Sequence, residues 1–138
     1  MPAAIARCPC GLGGAYAACC GRWHGGPLHL QAPNAEQLMR SRYTAYVIND
    51  MVYVRDTWHP LTRSAALVPG SRDVRWLGLE IRRHEEAEGG RHATVEFVAR
   101  YKDHGRAYRL HEISRFERLD GQWFYVDGST GLRAPRRA

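Results

Sequence analysis

The chain has 138 residues, 44% hydrophobic and 10% aromatic, with a net charge of +6 and a pI of about 9.5. That suits one compact domain with a small appendage, and no run approaches the ~20 apolar residues of a membrane span. The positive charge permits contact with anions, but the arginines are scattered, Lys102 is the sole lysine, and Arg133, Arg136 and Arg137 make the only terminal cluster. Without a run of five or six like charges, sequence-specific nucleic-acid binding is not expected.

All four cysteines fall in the first twenty residues: Cys8-Pro9-Cys10, then Cys19-Cys20. Two short thiolate pairs joined by a turn are what a tetrahedral metal shell needs. Gly11, Gly13 and Gly14 between them let the backbone curl around an ion. A disulfide scaffold and redox-active thiols are the alternatives. An adjacent Cys19–Cys20 bridge would be a strained ring. Met1 to Arg7 has no apolar h-region, so no secretory signal is expected and the chain reads as cytoplasmic, where clustered cysteines serve metal or redox work. Zinc is the default ion and iron the other candidate. His24 and His29 are spare donors expected to stay outside the shell.

Gly25-Gly26-Pro27 and Ala32-Pro33 punctuate a link to the body. Asn34, with Gln37 as capping-box partner, starts a helix through about Ile48. Asn49-Asp50 breaks and recaps it. A second short helix follows, ended by His59-Pro60, and 61–72 reads as loop. The period then changes to two. Strands are expected over 74–84, 92–103, 106–119 and 122–127, with a polar turn at 85–90 and tight turns at His104-Gly105 and Asp120-Gly121. Helices followed by hairpin-linked antiparallel strands make an α+β domain.

Strand parity locates candidate site residues. Val95, Phe97, Ala99 and Tyr101 share one face of the second strand. On the third, Tyr108, Leu110 and Phe116 share a face with Glu112 and Ser114. A carboxylate on an apolar row has a raised pKa unless paired. Glu112 is therefore the main pocket candidate, with an ion pair to Arg40 or Arg42 as the structural alternative. Tyr43, Tyr46, Trp58 and Tyr125 are core aromatics whose polar tips can line a cavity. His59 is either a pocket base or a helix-end histidine. The opposite row, with Glu96, Arg100, Arg109, His111 and Arg115, is a solvated face or a homodimer interface. No complete catalytic set, phosphate-binding loop or dinucleotide fingerprint is present, so no catalytic residue is assigned.

The segment from Cys8 to Gly21 resembles the SEC-C motif, a metal-binding module known from the tail of the SecA translocase. The body resembles the YchJ family of small bacterial proteins. The resemblance is carried by Leu38 to Tyr43, Thr57 to Pro60, Trp76 to Leu79, Phe97 to Tyr101, His111 to Phe116 and Trp123 to Gly128. It implies a SEC-C-like zinc module over residues 1–30, a nuclear-transport-factor-2-like body over 31–130 and a flexible tail over 131–138. Such a body is a cystatin-like cone, with helices on a curved antiparallel sheet of about four strands around a cavity. The resemblance implies Cys8, Cys10, Cys19 and Cys20 as ligands, with Cys20 where SecA has histidine. Leu12 replaces a serine, and Gly14, Ala15, Ala17 and Ala18 replace lysines that in SecA-like modules accompany contact with the SecB chaperone or the ribosome.

Three functions are expected from these features. The first is a non-enzymatic adaptor whose zinc module docks on a protein partner or on the body. The second is a small-molecule binder or enzyme around Glu112, His59 and a tyrosine. The third is a ribosome- or chaperone-associated factor.

Overall fold

The computed structural model describes residues 7–63, 74–129 and 136–137. Most of the loop expected over 61–72, and the tail apart from Arg136–Arg137, lie outside the described residues. The elements in order are a 3-10 turn at Tyr16–Ala18, helix α1 (Gly21–His24), a second 3-10 turn at Gly26–Leu28, helices α2 (Ala35–Ile48) and α3 (Met51–Asp56), then strands β1 (Val74–Ala87), β2 (His92–Asp103), β3 (Arg106–Leu119) and β4 (Gln122–Ser129). They form an antiparallel sheet in the order β1-β2-β3-β4, and β5 (Arg136–Arg137) pairs with β3 at Tyr108 and Arg109. Among the described residues no helix is long and apolar enough to cross a membrane.

Helix α2 starts where its cap predicts. Asn34 Oδ1 accepts from the Gln37 N–H at 2.8 Å, satisfying one of the orphan donors of the first turn. Only half of the capping box forms, because Gln37 Oε1 is buried without a partner among the described residues. The helix stops at Asn49, which takes the left-handed conformation (φ +64°) that asparagine tolerates. Asp50 then caps α3 through the Tyr53 N–H.

The hairpin turns fall as expected. His104-Gly105 and Asp120-Gly121 all have positive φ, the backbone that a two-residue turn between twisted strands needs. β1 departs from expectation. It runs to Ala87, three residues beyond His84, because Glu85 and Glu86 pair with Thr94 and Ala93 on an exposed strand end. It also carries two register shifts, between Trp76 and Gly78 and between Ile81 and Arg83. Each extra residue switches the inward parity, so apart from Gly78 the half-buried residues are Val74 and Trp76, then Leu79 and Ile81, then His84. A third shift in β4 sets Tyr125 against Phe116 and Asp127 against Arg115.

The core lies between α2, α3 and the concave face of the sheet. Leu38, Tyr53, Val54, Val95 and Phe116 are buried in it. The N-terminal cysteine segment packs on the other side of α2.

Candidate metal centre and cavity

The first cysteine pair sits on a tight loop. Cys8 N–H donates to the Gly14 carbonyl at 2.9 Å, and Arg7 bridges to Ala15. The chain turns through Gly11 and Gly13, both at φ +91°, a conformation that costs side-chain-bearing residues dearly. The second pair follows the Tyr16–Ala18 turn and leads into α1. A Cβ at position 21 would lie 2.7 Å from the Tyr16 carbonyl oxygen, so Gly21 lets the start of α1 pack closely on the Tyr16–Ala18 turn.

The four sulfurs all lie within 4.8 Å of one another, and Cys10 and Cys19 Sγ are 3.6 Å apart. A tetrahedral S₄ shell with bonds of about 2.3 Å separates its sulfurs by about 3.8 Å. All four cysteines are buried and unbridged, so the disulfide alternative fails. Their ionisation is mutually dependent. Donors on Cys10 and Cys20 hold the Cys8 thiol far below the usual range, while burial, then Cys10, pushes Cys19 up to about 11, and Cys20 is driven higher still by Cys10 and Cys8. One thiolate is thus favoured and further ones are opposed, unless a cation joins them. The donor set fits a soft or borderline metal ion.

α2 grips this module along one stripe. Arg40 Nη1 donates to the Cys10 carbonyl at 2.8 Å, Thr44 Oγ1 lies 3.7 Å from Cys8 Sγ, and Ile48 packs against the cysteines. His24 lies outside the sulfur cluster: its Nε2–H donates to the Ser41 carbonyl at 2.8 Å, which leaves Nδ1 to accept from the Tyr16 hydroxyl at 2.7 Å. Burial pushes the His24 pKa down, keeping the ring neutral.

The opposite stripe of α2 faces a cavity of about 280 Å³ that opens between the helix and the sheet. Tyr43, Tyr46, Trp58 and Trp76 form much of its aromatic wall, with Phe97 and Leu110 beneath. Glu112, Ser114, Tyr125 and Arg42 are its polar members. Arg42 is buried. Its Nη1 donates to the Val54 carbonyl (2.9 Å) and Thr57 Oγ1 (2.8 Å), and its guanidinium carbon lies 4.4 Å from the Tyr125 ring centroid. Glu112 accepts a long bond from the Tyr125 hydroxyl at 3.4 Å. Burial pushes its pKa up, opposed by that bond and by the Arg42 charge.

A profile of the YchJ middle NTF2-like domain matches residues 34–128. The chain belongs to the YchJ family. It is 55% identical over 127 residues to a UPF0225 protein of Bordetella parapertussis, covering 92% of this chain and 95% of that one. Two solved structures share the fold. One is the solution structure of a SEC-C motif containing protein from Rhodopseudomonas palustris, with 32% identity, TM-score 0.73, and 89% of this chain and 97% of that one covered. The other is the crystal structure of a SEC-C motif containing protein from Psychrobacter arcticus, with 28% identity, TM-score 0.75, and 92% and 84% covered.

In this YchJ-family chain six of the seven pocket residues singled out from sequence line one cavity: Tyr43, Tyr46, Trp58, Glu112, Ser114 and Tyr125. His59 stands apart from it. Its Nε2–H donates to Glu117 Oε1 at 2.8 Å and its Nδ1 accepts from the Leu61 N–H at 3.1 Å. Its backbone N–H donates to the Tyr125 carbonyl at 2.7 Å. His59 thus fastens the segment after α3 to β4. The ion pair expected between Glu112 and Arg40 or Arg42 does not form. Arg40 pairs with Glu36 at 3.0 Å, and Arg42 spends its bonds on α3 and Thr57.

Sequence reasoning passed over Thr44, the role of Ser41 and that of Gly128. Thr44 had a signal, since Arg40, Thr44 and Ile48 recur at helical spacing and form a second contact stripe, whereas Ser41 meets His24 only through its backbone carbonyl. Gly128 had none: a Cβ there would lie 1.5 Å from Glu112 Oε2, a contact visible only after folding.

Proposed function

We propose that this YchJ-family chain is a non-enzymatic zinc protein of the cytoplasm that acts as an interaction adaptor. Its ion is structural. The observation that carries this reading is the burial of all four sulfurs within 4.8 Å of one another. Four thiolates close a tetrahedral shell and leave no position for water or substrate. Zinc suits this site better than iron, because a d¹⁰ ion has no redox chemistry and no geometric preference of its own. A protein partner is the occupant in keeping with exposed Leu12 and Leu28, 49% and 47% accessible, on either side of the second cysteine pair. Ribosome or SecB-type contact has less support, since the loop between the ligand pairs carries no lysine.

Elemental analysis of the natively purified chain tests the metal assignment: one zinc per chain is expected, and iron or no metal contradicts it. Sedimentation with ribosomes separates the partner classes. No salt-sensitive association is expected of the adaptor, whereas binding lost on raising the salt would favour the ribosomal reading.

Small-molecule binding or catalysis around Glu112 is the second reading. One observation favours it: the Glu112 carboxylate is in a cavity wall and has no ion-pair partner within 4.0 Å among the described residues.

A further inference from the structure

We propose that the cavity binds a small, uncharged ring compound that carries an N–H or O–H donor, with the ring against the aromatic wall and the donor on the Glu112 carboxylate. This rests on the small-molecule reading above and adds the ligand's chemistry.

Two independent observations make Glu112 a built feature of the wall. Its carboxylate stands where a side chain at position 128 would begin, with Oε2 only 1.5 Å from an ideal Cβ there. Only glycine at 128, within β4, leaves that space. The carboxylate also meets a single long donor, the Tyr125 hydroxyl at 3.4 Å. An ionised carboxylate accepts about four hydrogen bonds, so most of its capacity is unused by the described residues. Ser114, which pairs with Gly128 across the strands, adds a buried hydroxyl without a partner among the described residues. A buried polar group left unmatched is costly, and its presence in a native fold calls for an explanation, which a bound ligand's own polar group would supply.

Charge and size narrow the class. Arg42 and Glu112 put one positive and one negative group in the same wall. An anionic ligand meets Glu112 and a cationic one meets Arg42, so a neutral ligand suffers least. The volume of about 280 Å³ falls just below the range of about 300–1,000 Å³ typical of drug-sized ligands. That admits one or two fused rings. Tyr46 and Trp76 pack on one another, with ring centroids 6.2 Å apart and planes tilted by 48°, so together they offer aromatic wall surface for a ring to lie against.

The test is a ¹H–¹⁵N titration of the metal-loaded full chain with phenol, indole, toluene, benzoate and benzylamine, following the indole N–H signals of Trp58 and Trp76. Phenol and indole are expected to shift these signals saturably. Toluene, which has the ring without a donor, should bind at least tenfold more weakly, and benzoate and benzylamine should not saturate. E112A should reduce phenol to the affinity of toluene, and E112Q, which keeps an acceptor oxygen, should restore part of the difference. Equal binding of toluene and phenol, or preference for either ion, overturns the proposed class while leaving a ligand cavity. Silence of all five probes at millimolar concentration, with the fold intact, overturns the small-molecule reading itself.

Discussion

Glu112 and Gly128 act as a pair. Replacing Gly128 with alanine drives a methyl group into the Glu112 carboxylate, and overpacking of this kind costs about 1–3 kcal/mol. G128A should therefore lower the melting temperature, and the double variant with E112A should lose less than the sum of the two, because both changes act on one contact. Additive losses in the double-mutant cycle would contradict that contact. The raised pKa of Glu112 gives a second expectation. The folded state holds the Glu112 proton more tightly than the unfolded chain does. Its favourable contribution is complete below the ordinary carboxylate value of 4.5 and is lost as pH rises through the raised folded-state value. E112Q should thus be more stable than the parent at pH 7, and its advantage should shrink as pH falls toward 4. An advantage that does not change with pH would contradict a buried, strained carboxylate.

Among the elements, α2 does two jobs with two stripes. Met39, Arg42, Tyr43 and Tyr46 face the cavity, while Arg40, Thr44 and Ile48 face the cysteine module and the Ser41 hydroxyl turns to Tyr53 of α3. Ser41 and Thr44 are fully buried in spite of their hydroxyls, because the Ser41 hydroxyl meets the Leu38 carbonyl at 2.8 Å and the Tyr53 hydroxyl at 2.7 Å and that of Thr44 lies against Cys8. T44V keeps the shape and removes the hydroxyl beside Cys8. It should speed zinc loss to a chelator by the roughly 10–100-fold typical of outer-shell changes, with little change in the circular dichroism of the body; unchanged release kinetics would dissociate Thr44 from the metal. N34A, which removes the cap of α2, should cost about 1 kcal/mol in chemical denaturation. Local chemistry made much of this legible beforehand. Asn34, Asn49-Asp50 and the two Gly-containing hairpin turns encode their breaks within a few residues, and β2 and β3 keep a strict two-residue period, so Glu112 and Ser114 could be placed on the cavity face. β1 could not be read the same way, because its two bulges depend on pairing with β2 and reverse the inward parity twice. The role of His59 was equally hidden: it depends on Glu117, 58 residues away in sequence.

For the whole molecule, the proposed metal would act as a staple. A segment as short as 7–24 cannot bury a core of its own, so its order would come from the ion and from the stripe of α2 beneath it. Removing the ion should deprotect the amides of the module first and those of the α2 stripe next. The β2 and β3 amides, which lie in the sheet, should stay protected in hydrogen exchange. Uniform loss of protection would mean that the ion holds the whole chain together, and no loss would mean that the module needs no ion. Acid should act in the same order, since protons compete with the metal for thiolate. In the proposed centre all four cysteine sulfurs share one zinc ion. X-ray absorption at the zinc edge of the natively purified chain reads that shell. Four sulfur scatterers at about 2.3 Å are predicted, and a shell containing nitrogen or oxygen, or the absence of zinc, would contradict it.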